Sequence, residues 1–161
     1  MASNAVESQC CQRGGAKKRE DTLELSASDE FEIIELVSRY NYAIDHRRAE
    51  EWADVFSPDG ELWADGKLRA GGRPALVEHI HKAERTGKKI RHWPCNPVIE
   101  GKDDQARLRM YVLAYDITDG IRPQILAEYD DELVKLDGHW KFKVRRVSAC
   151  GGDWPVHVQS K

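Results

Sequence analysis

Phe31-Glu-Ile-Ile-Glu-Leu-Val-Ser-Arg-Tyr-Asn-Tyr-Ala-Ile-Asp45 is the stretch whose reading decides the fold. Phe31, Ile34, Val37, Asn41 and Ile44 recur at helical spacing, and Ile33, Leu36 and Tyr40 widen the stripe into a broad face. Just upstream, Ser26-Ala-Ser-Asp29 offers a capping box that starts the helix. The helix ends on a carboxylate, Asp45, where the helix dipole disfavours negative charge. On the surface, His46-Arg47-Arg48 would compensate it; inside the protein it needs a partner from elsewhere in the chain.

His92 is the candidate partner. It opens a strand-like run, Ile90-Arg-His-Trp-Pro-Cys-Asn-Pro-Val-Ile99. A carboxylate beside a histidine holds the imidazole in one tautomer and raises its basicity, which makes a general base. Taken alone, a strand histidine is more often a satisfied core residue.

Around these two segments the chain reads as an α+β domain. A short helix fits Ala49-Glu-Glu-Trp-Ala-Asp-Val-Phe56 and stops at the turn signal Ser57-Pro-Asp-Gly60. Glu61–Ala64 and Lys67–Ala70 form a small hairpin around Asp65-Gly66. Gly71-Gly-Arg-Pro74 leads into a third helix running to about Arg85, with Leu76, Val77 and Ile80 inward. Four strand-like runs follow: Ile90–Glu100, Gln105–Ile117, Ile125–Leu136 and His139–Ala149, separated by turn signals that include Asp137-Gly138. Three helices and then a long antiparallel meander predict a strongly curved, mixed or antiparallel sheet wrapped against helices. Such a cone leaves a concavity suited to a small molecule.

The 161 residues fit one domain, residues 26–150, with a polar N-terminal extension over 1–25 and a C-terminal flap or tail over 151–161. The net charge of −3 makes no electrostatic case for nucleic acid, and Lys17-Lys18-Arg19 is followed at once by Glu20-Asp21. No apolar run is long enough to cross a membrane, and the N-terminus lacks an apolar signal core, so a cytoplasmic protein is expected. Cys10, Cys11, Cys95 and Cys150 show no metal or redox spacing. His79-Ile-His81 invites a metal reading, but helical i and i+2 positions diverge, so neither a metal nor a cofactor is expected.

The order of elements is joined by several local patterns. These are Glu32–Tyr40 leading to Ala43-Ile-Asp45, then Trp52-Ala-Asp-Val-Phe-Ser-Pro-Asp-Gly60 and Gly72-Arg-Pro-Ala-Leu76. Arg91-His92 and Tyr129-Asp-Asp-Glu-Leu…Asp137-Gly-His-Trp-Lys-Phe142 complete the set. Together they resemble the SnoaL-like branch of the nuclear-transport-factor-2-like superfamily over about residues 27–150. The resemblance is greatest to its Asp/His branch, which includes scytalone dehydratase, a bile-acid dehydratase and a dehydrochlorinase. It implies that Asp45 and His92 form the catalytic pair and that Tyr40 falls on a tyrosine used by the bile-acid enzyme. The implied reaction removes a proton next to an activating group, with loss of a leaving group from the neighbouring carbon. Two departures matter. No histidine lies between His92 and His139, so Tyr40 or a tyrosine of the long strands must protonate the leaving oxygen. The late arginine of some relatives falls near Arg145 and Arg146, in a register the sequence does not fix.

The expected protein is a cofactor-independent, dehydratase-type lyase acting on a small hydrophobic cyclic metabolite, with an isomerase or cyclase using the same base as the near alternative. Asn41, Trp63, Tyr111 and Tyr129 are the candidate substrate-binding residues; Asn41 shares a face with Asp45, and the aromatics are either lining or core. The rival from another class is a non-catalytic binding module of the dioxygenase small-subunit type. Two polar residues in an open cavity favour the enzyme; a cavity filled by side chains favours the module. A homo-oligomer, trimer or dimer, is expected either way.

Overall fold

The computed structural model describes residues 24–150. The expected N-terminal extension, with Cys10 and Cys11, lies almost entirely outside the described residues, and so does the expected flap from Gly151 to Val158.

Helix α1 (Ala27–Asp45) begins with the capping box foreseen in the sequence. Ser26 Oγ accepts from the Asp29 backbone N–H at 3.1 Å, and Asp29 reaches back to Ser26. Asp29 also accepts from Lys135 Nζ at 2.6 Å and from Trp140 Nε1 at 2.9 Å, so the cap anchors the helix to the sheet. These hydrogen bonds, Lys135's first, hold the Asp29 carboxyl well below the usual carboxylate range. Helix α2 (Ala49–Asp54) and helix α3 (Arg73–Glu84) pack together, stapled by Arg73 to Glu50 and Asp54.

Six strands form one sheet: β1 (Phe56–Ala64), β2 (Lys67–Gly71), β3 (Ile90–Lys102), β4 (Gln105–Asp116), β5 (Arg122–Leu136) and β6 (His139–Ala149). Their order is β2-β1-β6-β5-β4-β3. All neighbours are antiparallel except β1 and β6, which run parallel, so the sheet is mixed. Every neighbouring pair carries a register shift, and such bulges bend and twist a sheet. The bent sheet meets α1 through both β3 and β6. Asp65-Gly66 and Asp137-Gly138 turn with positive φ at both residues, as a tight two-residue hairpin requires.

One local expectation was wrong. Ser57-Pro-Asp-Gly60 does end the second helix early, but it does not leave the sheet as a turn; it lies inside β1. Phe56 pairs with Phe142 and Glu61 with Val144, so several β1 residues oppose one of β6. The bulge closes on Gly60, where an added Cβ would stand 2.8 Å from Phe56 Cβ. Proline is tolerated there because a bulge needs no ladder donor.

The core lies between α1 and the concave face: Ile33, Leu36, Val37 and Tyr40 from the helix meet Leu108, Met110, Val112, Tyr129, Leu133, Trp140 and Phe142 from the strands.

Asp29→Asn should destabilise the fold by about 1 kcal/mol at neutral pH, a figure discounted for solvent screening. Because the folded carboxyl is depressed, its contribution is present above the unfolded value near 4 and is lost as the pH falls. Urea unfolding at several pH values checks this: the gap between wild type and variant should narrow below about pH 4.

Candidate active site

Asp45 is the last residue of α1, and His92 lies near the start of β3, the edge strand. The structure brings them into double contact. Asp45 Oδ1 lies 2.5 Å from His92 Nδ1, and Asp45 Oδ2 accepts from the His92 backbone N–H at 3.0 Å. A carboxylate occupied on both oxygens needs a donor at each, so the network places a proton on Nδ1; in the neutral imidazole the lone pair is then on Nε2. The Asp45 side chain is 8% exposed and that of His92 14%: withdrawn from bulk water, yet not sealed.

Neighbouring basic residues hold the frame rather than compensating the carboxylate. Arg91 Nη1 donates to the Asp45 carbonyl at 3.0 Å, and Arg47, at φ 58, donates to the carbonyls of Ile44 and Lys88. Both tie the end of α1 to the segment entering β3.

Register places the remaining candidates. His92 pairs with Ala114, and Ala114 with Ile125, on the concave face. Deeper rows on the same face are Val112–Ala127, Met110–Tyr129–Val147 and Asp131–Arg145. Tyr129 is therefore inside. Burial, first, and the nearby Tyr40 raise its pKa above the usual tyrosine value, and Asp45 is among the charges acting on it. Tyr129 thus stays an O–H donor.

Tyr40 is also inside, but in the deep aromatic cluster. Its ring packs on Trp52, Phe56, Tyr129 and Phe142. Burial pushes its pKa up, and the charges acting on it are those of Arg145 and Asp131. Asn41 is buried one turn before Asp45, its Nδ2 donating to the Val37 carbonyl at 2.9 Å.

Two candidates do not join them. Trp63 pairs with Arg146 while Leu62 pairs with buried Arg145, so alternation turns Trp63 to the outer face, where Nε1 donates to Glu61 at 2.7 Å. Tyr111 sits between buried Met110 and Val112 and is 44% exposed on that same outer face. Expecting them to line the concavity was incorrect, because aromatic character says nothing about strand parity. A depression lined by Asn96, Val98, Arg109, Tyr111 and Glu128, with Met110 and Tyr129 also contributing, includes neither Asp45 nor His92. The two helix histidines diverge: His79 stacks on Trp52, and His81 lies half-exposed beside Glu78.

What the sequence left open was the arginine. Arg145 is fully buried and bidentate to Asp131, at 3.0 Å from Nε and 2.6 Å from Nη2, whereas Arg146 makes a surface pair with Glu132. The Arg145 guanidinium also lies about 4 Å from the ring centres of Tyr40, Tyr129 and Phe142. Burial opposes its charge, but Asp131 outweighs that and holds Arg145 above the usual arginine value. Sequence reasoning missed Asp131; the signal was a polar residue at the inward parity of β5, between Tyr129 and Leu133.

The profile of the SnoaL-like domain matches residues 26–146. The chain belongs to the SnoaL-like family. Comparison with curated proteins finds no match. Among solved structures, a Nostoc punctiforme protein of unknown function with a cystatin-like fold is 25% identical, with 83% of this chain and 98% of that one covered and a TM-score of 0.74. A candidate scytalone dehydratase from Novosphingobium aromaticivorans is 29% identical over 80% and 89% of the two chains, with a TM-score of 0.67. A Catenulispora acidiphila protein solved in complex with S-DNPA is 29% identical over 77% and 95%, with a TM-score of 0.65. This SnoaL-like chain therefore carries the cystatin-like, NTF2-like fold, and among the described residues no helix is long and apolar enough to cross a membrane.

Arg145→Met should destabilise the SnoaL-like domain by about 3–5 kcal/mol, because it strands Asp131 as a buried charge. The double variant Arg145→Met/Asp131→Leu should lose less than Arg145→Met alone. Urea unfolding of wild type, Arg145→Met, Asp131→Leu and the double variant checks this non-additivity.

Proposed function

We propose that this SnoaL-like protein is a cofactor-independent lyase that eliminates water from a small, hydrophobic cyclic β-hydroxy ketone. His92 Nε2 removes a proton from the carbon next to the carbonyl. The C–H electrons form the new C=C bond, and the C–O bond on the neighbouring carbon breaks. Tyr129 donates its proton to the departing oxygen, giving water, and the imidazolium returns a proton to the phenolate. Asp45 holds the ring in its productive tautomer and stabilises the transient imidazolium. Tyr40 and Arg145 act one layer deeper, packed against Tyr129 and fixing its ring.

The double contact between Asp45 and His92 carries this reading. The two oxygens fix both the backbone and the ring of His92, which suits a base that must be held in one orientation. The S-DNPA complex of the Catenulispora relative supports a small-molecule role for this fold. The module reading draws its support from the deep end of the cone, which Tyr40, Trp52, Phe56 and Phe142 fill. The incomplete burial of Asp45 and His92 weighs against it. An isomerase or cyclase would use the same base and return the proton to carbon, which product analysis separates. The proposal keeps the homo-oligomer expected from the sequence, supported by Trp93, Tyr111 and Leu126 exposed on the outer sheet face.

The test uses 3-hydroxy-1-tetralone, whose elimination yields 1-naphthol and an absorbance change. Wild type should convert it and related cyclic β-hydroxy ketones. His92→Ala and Asp45→Asn should each lower turnover by about 10²–10⁴-fold, the typical contribution of a positioned base. If both variants turn over as wild type does, the mechanism is wrong.

A further inference from the structure

Three buried side-chain atoms among the described residues have no hydrogen-bond partner: Trp52 Nε1, Arg145 Nη1 and Asn41 Oδ1. Two of these are donors surrounded by aromatic rings. Trp52 packs against Tyr40, Phe56 and His79, and the Arg145 guanidinium lies over Tyr40, Tyr129 and Phe142. The negative face of a ring attracts an N–H, so a donor placed there is partly satisfied. Asn41 Oδ1 is different. It is an acceptor, and a ring face offers an acceptor nothing.

The orientation of the Asn41 amide is settled by its other contact. The group 2.9 Å from the Val37 carbonyl must be the NH₂, since two oxygens would repel, and that leaves the amide oxygen as the orphan. The residue is only 5% exposed, so bulk water does not serve it. The backbone donors of α1 are engaged in the helix. On the facing sheet, the rows deeper than His92 are Pro94–Val112–Ala127 and Met110–Tyr129. With the next row, Asp131–Arg145, the side-chain donors on this face are the Tyr129 hydroxyl and the Arg145 guanidinium, and Asn41 Oδ1 receives neither. An asparagine with half its amide unsatisfied costs stability that an apolar residue of similar size would not. In a folded protein such a group is completed by an ordered water or by a bound ligand.

Asn41 precedes Asp45 by four residues, so the two share one face of α1. The Asn41 amide is one helical turn, about 5.4 Å, deeper than the carboxylate that holds His92. We infer that Asn41 is a specificity-determining residue whose Oδ1 accepts a hydrogen bond from a substrate hydroxyl lying one turn deeper than the carbon His92 deprotonates. The inference rests on the elimination reading and narrows its substrate class: the preferred molecule carries a donor hydroxyl at its buried end besides the one it loses, and an analogue without that donor binds more weakly because Asn41 stays unpaired.

The probes are 1-naphthol and 1-fluoronaphthalene, similar in shape but only the first able to donate. Binding is read by titration calorimetry on the full chain. Wild type should bind 1-naphthol at least tenfold tighter than 1-fluoronaphthalene, and Asn41→Leu should bind the two within about twofold of each other. The melting temperature of Asn41→Leu should equal or exceed that of wild type; if circular dichroism finds that variant unfolded, Asn41→Ala takes its place in the binding comparison. Equal affinities in wild type, no binding of 1-naphthol, or discrimination that survives the substitution would each overturn the assignment. Turnover of 3-hydroxy-1-tetralone by His92→Ala separates the two ideas. If discrimination does not depend on Asn41 while His92→Ala is inactive, the asparagine assignment falls and the elimination stands; if discrimination depends on Asn41 while His92→Ala is active, the reverse holds.

Discussion

Asp45 gives both its oxygens to one residue of the edge strand, and the geometry of the concave side depends on that contact. It ties the last residue of α1 to the start of β3, 47 positions later in the chain. Arg91 and Arg47 reinforce the same junction through backbone carbonyls rather than through the carboxylate. The carboxylate is therefore free to act on the imidazole, and the helix is fixed over the sheet by groups that do not compete with it.

A second polar cluster lies deeper. Arg145 and Asp131 are a fully buried pair enclosed by aromatic rings. Removing two charges from water is costly, and an apolar pair of the same volume would often do as well for stability alone. Here the guanidinium also sets the ring of Tyr129, the phenol that feels both Asp45 and Asp131. The two clusters thus meet at one tyrosine, which gives the concave side a polar line through an apolar interior.

Much of this was legible in the chain. The helix ending at Asp45, the capping box at Ser26 and the Asp-Gly hairpins are local patterns, decided by residues a few positions apart, and each appears where the sequence puts it, although Phe31 is 65% exposed and the buried face centres on Ile33, Leu36, Val37 and Tyr40. The pairing of Asp45 with His92 rested on resemblance, because no local rule joins residues that far apart. Trp63 and Tyr111 were misplaced for the opposite reason. Their chemistry suits a pocket, but strand parity turned them outward, and parity is set by bulges that composition does not reveal. The bulge at Ser57-Pro-Asp-Gly60 shows the same limit, since a turn signature and a bulge use the same residues.

From sequence alone came the α+β class, the span of the first helix and the Asp-Gly hairpin turns. These follow from periodicity and side-chain chemistry, which are properties of short stretches. Tertiary structure decided which arginine enters the core, that Asp131 receives it, that Tyr129 lies inside, and that the Asn41 carbonyl has no donor among the described residues. Each of those is a question of register and burial, and both arise only when strands distant in sequence lie side by side.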